Sequence, residues 1–283
     1  MLGVESRGML TSMQDATDTT TETPATDSLR KRYEQVKAKV AAAAKRSGRP
    51  ANSIILVAVT KYASMDQVRE LVRLGQADLA ESQVQNLMQR AAQLDEFVQR
   101  HRELGQSGAT TLPEQVRWHM IGHLQRNKVR KAIGVIRLVH SLDSLRLAEE
   151  LQAIAGRLDA ENPVELLIQV NISGEKSKYG VAPAAARHLV EQIDTMLALR
   201  PRGLMCMAPL TEDPEEVRPV FERCQELFED IRRAGVGGEK FNILSMGMTH
   251  DYEVAIECGA NLVRVGSAIF KEDGEPYGPQ NRK

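Results

Sequence analysis

The chain has 283 residues, 42% hydrophobic and only 4% aromatic, ample for one large core and close to the roughly 250 residues of a single α/β barrel. Lys and Arg total 37 against 38 Asp and Glu, a formal net charge of −1, which excludes any global affinity for nucleic acid or anionic membranes. No apolar run reaches the length of a membrane span and the N-terminus lacks a signal-peptide core. Cys206, Cys224 and Cys258 show neither CxxC spacing nor a paired framework, so reduced thiols in a cytoplasmic protein are expected.

Residues 1–26 are rich in Thr, Ser, Asp and Glu, lack periodicity and read as a disordered tail, leaving 27–283 as the folded domain. Asp27 or Ser28 can cap a first helix, in which Leu29, Tyr33, Val36, Val40 and Ala44 recur at helical spacing until Ser47-Gly48 and Pro50 end it. Ile54 to Thr60 is then nearly uniformly apolar, as suits a parallel strand covered on both faces. Further strands are expected at 77–81, 117–121, 137–141, 164–171, 201–206, 241–245 and 261–265, with amphipathic stretches at 65–74, 83–100, 143–158, 183–197 and 213–234 between them. Eight strands alternating with helices predict a closed (β/α)8 barrel of the TIM type, with 104–115 as a surface loop.

In such a barrel the residue just past a strand sits on the rim where active sites are built. The first strand delivers Lys61 there. A lysine desolvated among apolar neighbours becomes nucleophilic toward aldehydes, whereas a rim lysine that reaches solvent does nothing of the kind; the strand alone allows both readings. His119 and His123 are four apart, but one lies on a strand and the other beyond Gly122, so no metal site is expected. The polar loop Asn171–Gly180 supplies Lys178 as a rival amine or a lid residue.

At the ends of the seventh and eighth strands stand Leu244-Ser245-Met246-Gly247-Met248 and Val263-Arg264-Val265-Gly266-Ser267. Barrels bind phosphate in these loops, where Gly247 and Gly266 permit close backbone approach and Ser245 and Ser267 carry hydroxyls. An aldehyde trap and a phosphate cradle on one rim together suggest pyridoxal 5′-phosphate. Arg264 reads either as a rim ion pair or as a permanently charged donor to the pyridine nitrogen, which would disfavour protonation there and make a poor electron sink.

Taken together, these segments resemble the pyridoxal phosphate homeostasis protein family (YggS/PROSC), whose members look like the barrel domain of fold-type III enzymes such as alanine racemase. The resemblance spans about Ile54 to Phe270. It rests on Ala58-Val59-Thr60-Lys61, Trp118-His119-Met120-Ile121-Gly122, Leu124-Gln125 with Asn127-Lys128, Gln169-Val170-Asn171-Ile172, Arg202-Gly203-Leu204-Met205 and the two phosphate-loop segments. It implies that Lys61 holds pyridoxal phosphate as an aldimine, that Ser245 and the backbone at Met246, Gly266 and Ser267 hold the phosphate, and that Arg264 faces the ring nitrogen. It further implies a monomeric carrier that buffers the cofactor or delivers it to apo-enzymes, without turnover of its own. The alternative is an amino-acid racemase of the alanine racemase type, which the short stretch after the eighth strand disfavours, because the opposing tyrosine of those enzymes lies on a separate C-terminal domain. Ser82, His123 and Lys271 depart from the family's usual Asn, Pro and Gly.

Overall fold

The computed structural model describes residues 24–103, 112–158, 163–175 and 178–271, with side chains from Ser28 onward. Most of the expected tail, positions 104–111 of the expected loop and the last twelve residues lie outside these. Helix α1 runs from Pro24 to Arg46, three residues ahead of the expected caps, since a proline suits a first helical position, where no N–H is needed. Its buried face carries Leu29, Tyr33, Val36 and Val40.

All eight expected strands are present: β1 Ile55–Val59, β2 Asp78–Glu81, β3 Arg117–Met120, β4 Ile136–Leu142, β5 Val164–Gln169, β6 Leu199–Met205, β7 Ile243–Ser245 and β8 Leu262–Val265. They pair in parallel in chain order and close as one barrel. The outer helices are α2 Met65–Arg73, α3 Val84–Glu103, α4 Val129–Ala132, α5 Leu145–Ala155, α6 Pro183–Asp194, α7 Arg218–Arg233, α8 Tyr252–Glu257 and α9 Ser267–Phe270. Those after β3, β7 and β8 are single turns or little more, which is why 3.6-residue periodicity gave no sign of α4 or α9. Four residues near the start of the expected 213–234 helix form a tighter 3-10 turn, Pro214–Val217, before α7 begins.

Strand alternation sorts the residues between two cores. Ala58, Trp118, Met120, Val139 and Leu244 face the helices, in one large apolar cluster. A second cluster fills the lumen: Val57 and Val59 of β1, then Ala80, Leu138, Leu167, Met205, Ile243 and Leu262, with no apolar strand residue from β3. Asp78, His140, Ser245 and Arg264, each two residues from one of these, and His119 of β3 bring polar groups inside the barrel, all but Asp78 buried. Glu165, the second residue of β5, is clamped at 2.6 Å by both Arg137 of β4 and Arg202 of β6.

The closure that matters for the site is β8 on β1, with Val57 opposite Arg264 and Ala58 opposite Val265. The two ends of the chain's barrel are thereby neighbours. Another constraint sits in β6. Opposite β5 its register shifts at Pro201–Gly203, and Gly203 adopts φ +150° with its α-carbon hard against the Ile243 carbonyl.

Candidate functional site

Lys61 stands at the mouth, two residues beyond Val59, on the lumen side by alternation with Val57 and Val59. Of the two readings the strand allowed, a desolvated amine and one that reaches solvent, the second holds: Thr60 and Ala63 are buried, but Lys61 and Tyr62 are exposed, and the amine lies 5.0 Å from the Tyr62 ring centroid. The strand ends at Val59, so Lys61 clears the last apolar layer. What is fixed is the backbone that carries it. Thr60 Oγ1 lies 2.6 Å from Glu81 Oε1, and Arg90 pairs with that same oxygen at 3.0 Å while donating to the Ala63 carbonyl at 2.7 Å. Burial raises the Glu81 carboxyl above its ordinary range, opposed by Thr60 and Arg90. Just beyond, Ser64 and Gln67 form a reciprocal capping box that starts α2.

Across the β8–β1 seam lie the β7 and β8 loops. A Cβ on Gly266 would come within 3.1 Å of the Val59 carbonyl oxygen, so the loop after β8 touches the strand that leads to Lys61. Ser267 Oγ lies 3.1 Å from Thr249 Oγ1, a half-buried hydroxyl pair beside Gly266. The loop after β7 bends at Gly247, with φ +87°, where any side chain would strike Tyr252 and Ala255. Asp251 Oδ1 accepts the Met248 N–H at 2.6 Å and pins that bend. Short α9 is tied down by Arg32, which donates to the Ile269 carbonyl at 2.9 Å, and Gln67, which donates to the Phe270 carbonyl at 3.0 Å. Met246 is wholly buried, so only its backbone is offered to the loop.

Beneath this mouth is Arg264. It is buried, and its partners are neutral: Nη1 donates to Ser245 Oγ and Nη2 to the Cys206 carbonyl at 2.9 Å. No carboxylate of the described residues lies within 4 Å of it. Burial lowers its pKa, opposed in part by Asp251 through space, yet a guanidinium stays protonated, so the lumen holds a cation with no carboxylate bonded to it. Of the two readings of Arg264, the rim ion pair is not formed. Ser245 is redirected too: its Oγ is fully buried between Arg264 and His140 Nδ1, the latter at 3.1 Å, rather than turned to the β8 loop. The hydroxyl beside the Gly266 N–H and Ser267 Oγ is that of Thr249, not Ser245.

The remaining sequence candidates fall apart in space. His119 is in the lumen, whereas His123 is on the rim, stacked on Tyr179 with centroids 4.5 Å apart and 3.2 Å from Asp143 Oδ2. No cluster of three metal-ligating side chains occurs among the described residues. Lys178 is held by Glu175 at 2.7 Å. The Ser82 carbonyl packs against Gly122, at 2.1 Å from where a Cβ would stand, so the backbone is what the β2 loop presents there. Lys271 follows α9, its N–H donating to the Ser267 carbonyl. The three cysteines are free and buried. Sequence reasoning missed Thr249, although a hydroxyl two residues past a loop glycine was a usable signal. It also passed over Asp78 and His140, which look like any other lumen position.

The chain matches the family described as the alanine racemase N-terminal domain over residues 26–273. It is 34% identical over 245 residues to the pyridoxal phosphate homeostasis protein of Aquifex aeolicus, covering 85% of this chain and 96% of that one. Among solved structures it superposes on PipY of Synechococcus elongatus with pyridoxal phosphate bound, at a TM-score of 0.68 and 30% identity, over 86% of this chain and 99% of PipY. Alanine racemase from Corynebacterium glutamicum shares the fold at a TM-score of 0.57 and 14% identity, with 87% of this chain but 64% of the racemase covered. No described helix is long and apolar enough to cross a membrane.

Proposed function

The chain belongs to the pyridoxal phosphate homeostasis protein family, within the alanine racemase N-terminal domain family, and from that membership we propose that it binds and buffers pyridoxal 5′-phosphate. The observation that carries this is the buried Arg264 with no carboxylate beside it. A buried guanidinium is expensive, its partners here are two neutral groups, and a ring-nitrogen acceptor that takes a further N–H recovers part of the cost. The donor set suits the cofactor's three handles. Lys61 offers an amine to the aldehyde, Arg264 faces the ring nitrogen, and the Thr249–Ser267 hydroxyls with the backbone at Met246, Gly266 and Ser267 receive the phosphate. Ser245 serves the ring end by holding Arg264. When bound, the cofactor supplies a reversible electrophile conjugated to an aromatic ring.

The residues around it favour holding over turnover. Lys61 is open to water, whereas carbanion chemistry is run where water is excluded. A guanidinium at the ring nitrogen disfavours its protonation, unlike a carboxylate. The match to PipY along nearly its whole length supports the same reading. The protein acts in the cytoplasm as a monomer, with 27–283 as its single working domain, and passes the cofactor to apo-enzymes that need it.

The purified protein should absorb in the visible, and borohydride reduction followed by peptide mapping should place the label on Lys61. A label on Lys178 would overturn the assignment. Incubation of the loaded protein with L-alanine and other L-amino acids should yield no D-isomer at enzymatic rates by chiral chromatography. Catalytic D-isomer formation lost in Lys61→Ala would replace the carrier with a racemase.

The phosphate end has its own signature. Thr249→Ala should weaken retention of pyridoxal phosphate roughly ten-fold or more, the worth of one charge-assisted hydrogen bond, and leave pyridoxal retention nearly unchanged. Equilibrium dialysis with both ligands decides it; equal losses would remove Thr249 from the cradle.

A further inference from the structure

Five lumen side chains are joined end to end across the barrel. Arg264 Nη1 donates to Ser245 Oγ, Ser245 Oγ is 3.1 Å from His140 Nδ1, and His140 Nε2 is 2.9 Å from His119 Nδ1. His119 Nε2 in turn is 3.1 Å from Asp78 Oδ1, and Asp78 is gripped by Arg117 at 2.7 and 2.5 Å. The run crosses from β8 through β7, β4 and β3 to β2 and ends near the barrel floor.

The two ends settle the direction of every bond between them. A guanidinium has only donors, and an ionised carboxylate has only acceptors. Burial alone would raise the Asp78 carboxyl, but the Arg117 and His119 hydrogen bonds outweigh it and bring it down to about 2, so it is ionised at neutral pH. His119 Nε2 must therefore carry a proton. With His119 neutral, its Nδ1 accepts from His140 Nε2–H, His140 Nδ1 accepts from Ser245 Oγ–H, and Ser245 Oγ accepts from Arg264. Each group has one donor and one acceptor, and each is used.

The other arrangements fail. A neutral His119 with its proton on Nδ1 would set a lone pair against the Asp78 carboxylate. A doubly protonated His119 would donate to His140 Nε2 and force a proton onto His140 Nδ1, which would then point at Ser245. The Ser245 proton would be left buried with no acceptor in the run, at the cost of an unmade hydrogen bond. Burial, with the charge of Arg264, holds His140 well below its ordinary pKa, which agrees with a neutral ring.

We infer that Asp78, His119, His140 and Ser245 are a one-way hydrogen-bond chain that orients Arg264 toward the cofactor ring, which makes both histidines positioning residues. This rests on reading the site as a pyridoxal phosphate site. The chain cannot conduct a proton, because it starts on a group that does not release one. Its effect is geometric: two of the five guanidinium N–H groups are tied, by Ser245 and by the Cys206 carbonyl, which leaves the planar fork one orientation.

The tautomers can be read without any cofactor. Long-range 1H–15N spectra of histidine-labelled protein at about pH 8 should show His119 and His140 both as neutral Nε2–H rings. Either of them found as Nδ1–H overturns the chain. In the loaded protein, Ser245→Ala should lower retention of pyridoxal phosphate and of pyridoxal alike, about ten-fold, and move the 15N resonance of the bound ring nitrogen. His140→Phe should do the same, and His140→Gln, which keeps a donor and an acceptor, should restore most of the loss. Should His140→Phe fail to fold, Ser245→Ala decides, since it removes one oxygen. A loss confined to pyridoxal phosphate would return the Ser245 hydroxyl to the phosphate and sink the inference, as would no loss at all. Wild-type protein that binds no cofactor would instead refute the proposed function, with the tautomer spectra still deciding the chain.

Discussion

Lys61→Ala is expected to abolish the visible chromophore of the loaded protein and its fixation by borohydride, with little change in thermal stability. The side chain is exposed and its one ring contact is the Tyr62 face, so its removal from the apo fold should cost within about 0.5 kcal/mol. The amine is nevertheless the group at the mouth that is carried by a clamped backbone, through Thr60, Glu81, Arg90 and the Ser64–Gln67 capping box. Arg264 and the Thr249–Ser267 pair remain in the variant, so free pyridoxal phosphate should still bind, more weakly and reversibly. An unchanged spectrum in Lys61→Ala, or a fall in melting temperature as large as a core mutation gives, would show that the residue is something other than the attachment point.

The largest effect on stability is expected from a residue with no chemistry. Gly203→Ala places a methyl 1.7 Å from the Ile243 carbonyl oxygen, at φ +150°, where L side chains are strained before any clash is counted. The obstacle is strand backbone, so it cannot swing aside. The β6–β7 pairing of Gly203 with Ile243 would have to open. A loss of about 4 kcal/mol or more is expected, at the extreme of single-substitution effects. Gly235→Ala is the control: it also has positive φ, +71°, but nothing stands within 4 Å, so about 1 kcal/mol of backbone strain is all it should cost. Urea melts of the two variants test this. Similar losses would mean that the β6 close approach relaxes at little expense.

Much of this architecture was legible in the residues. β1 is written as an apolar run and the other strands as short stretches regularly spaced between helices, so all eight were found, and the rule that barrel sites gather after the strands pointed to Lys61 and to the β7 and β8 loops. Periodicity tells which face a residue takes, but not how far up the barrel the apolar lining extends; the strand therefore left open whether Lys61 is desolvated or reaches solvent, and it is exposed. Partner choice is equally invisible. Ser245 has the composition of a phosphate donor, and only the meeting of β4, β7 and β8 shows that His140 and Arg264 already occupy its hydroxyl. Gly203 was read as part of a family resemblance, while the reason a glycine is needed there lies on β7, forty residues further on in the chain.

The seam between β1 and β8 has a consequence for how the protein comes into being. Lys61 is among the first parts of the barrel to leave the ribosome, and Arg264, Gly266 and Ser267 are among the last described. An unfinished chain therefore displays the reactive amine without the guanidinium or the phosphate loops, and it has nothing with which to retain the vitamin. Capacity to hold the cofactor appears only when the final strand docks beside the first, and the ligand then stabilises that closed state by mass action. Retained colour would thus report a barrel that has been made to its end and shut.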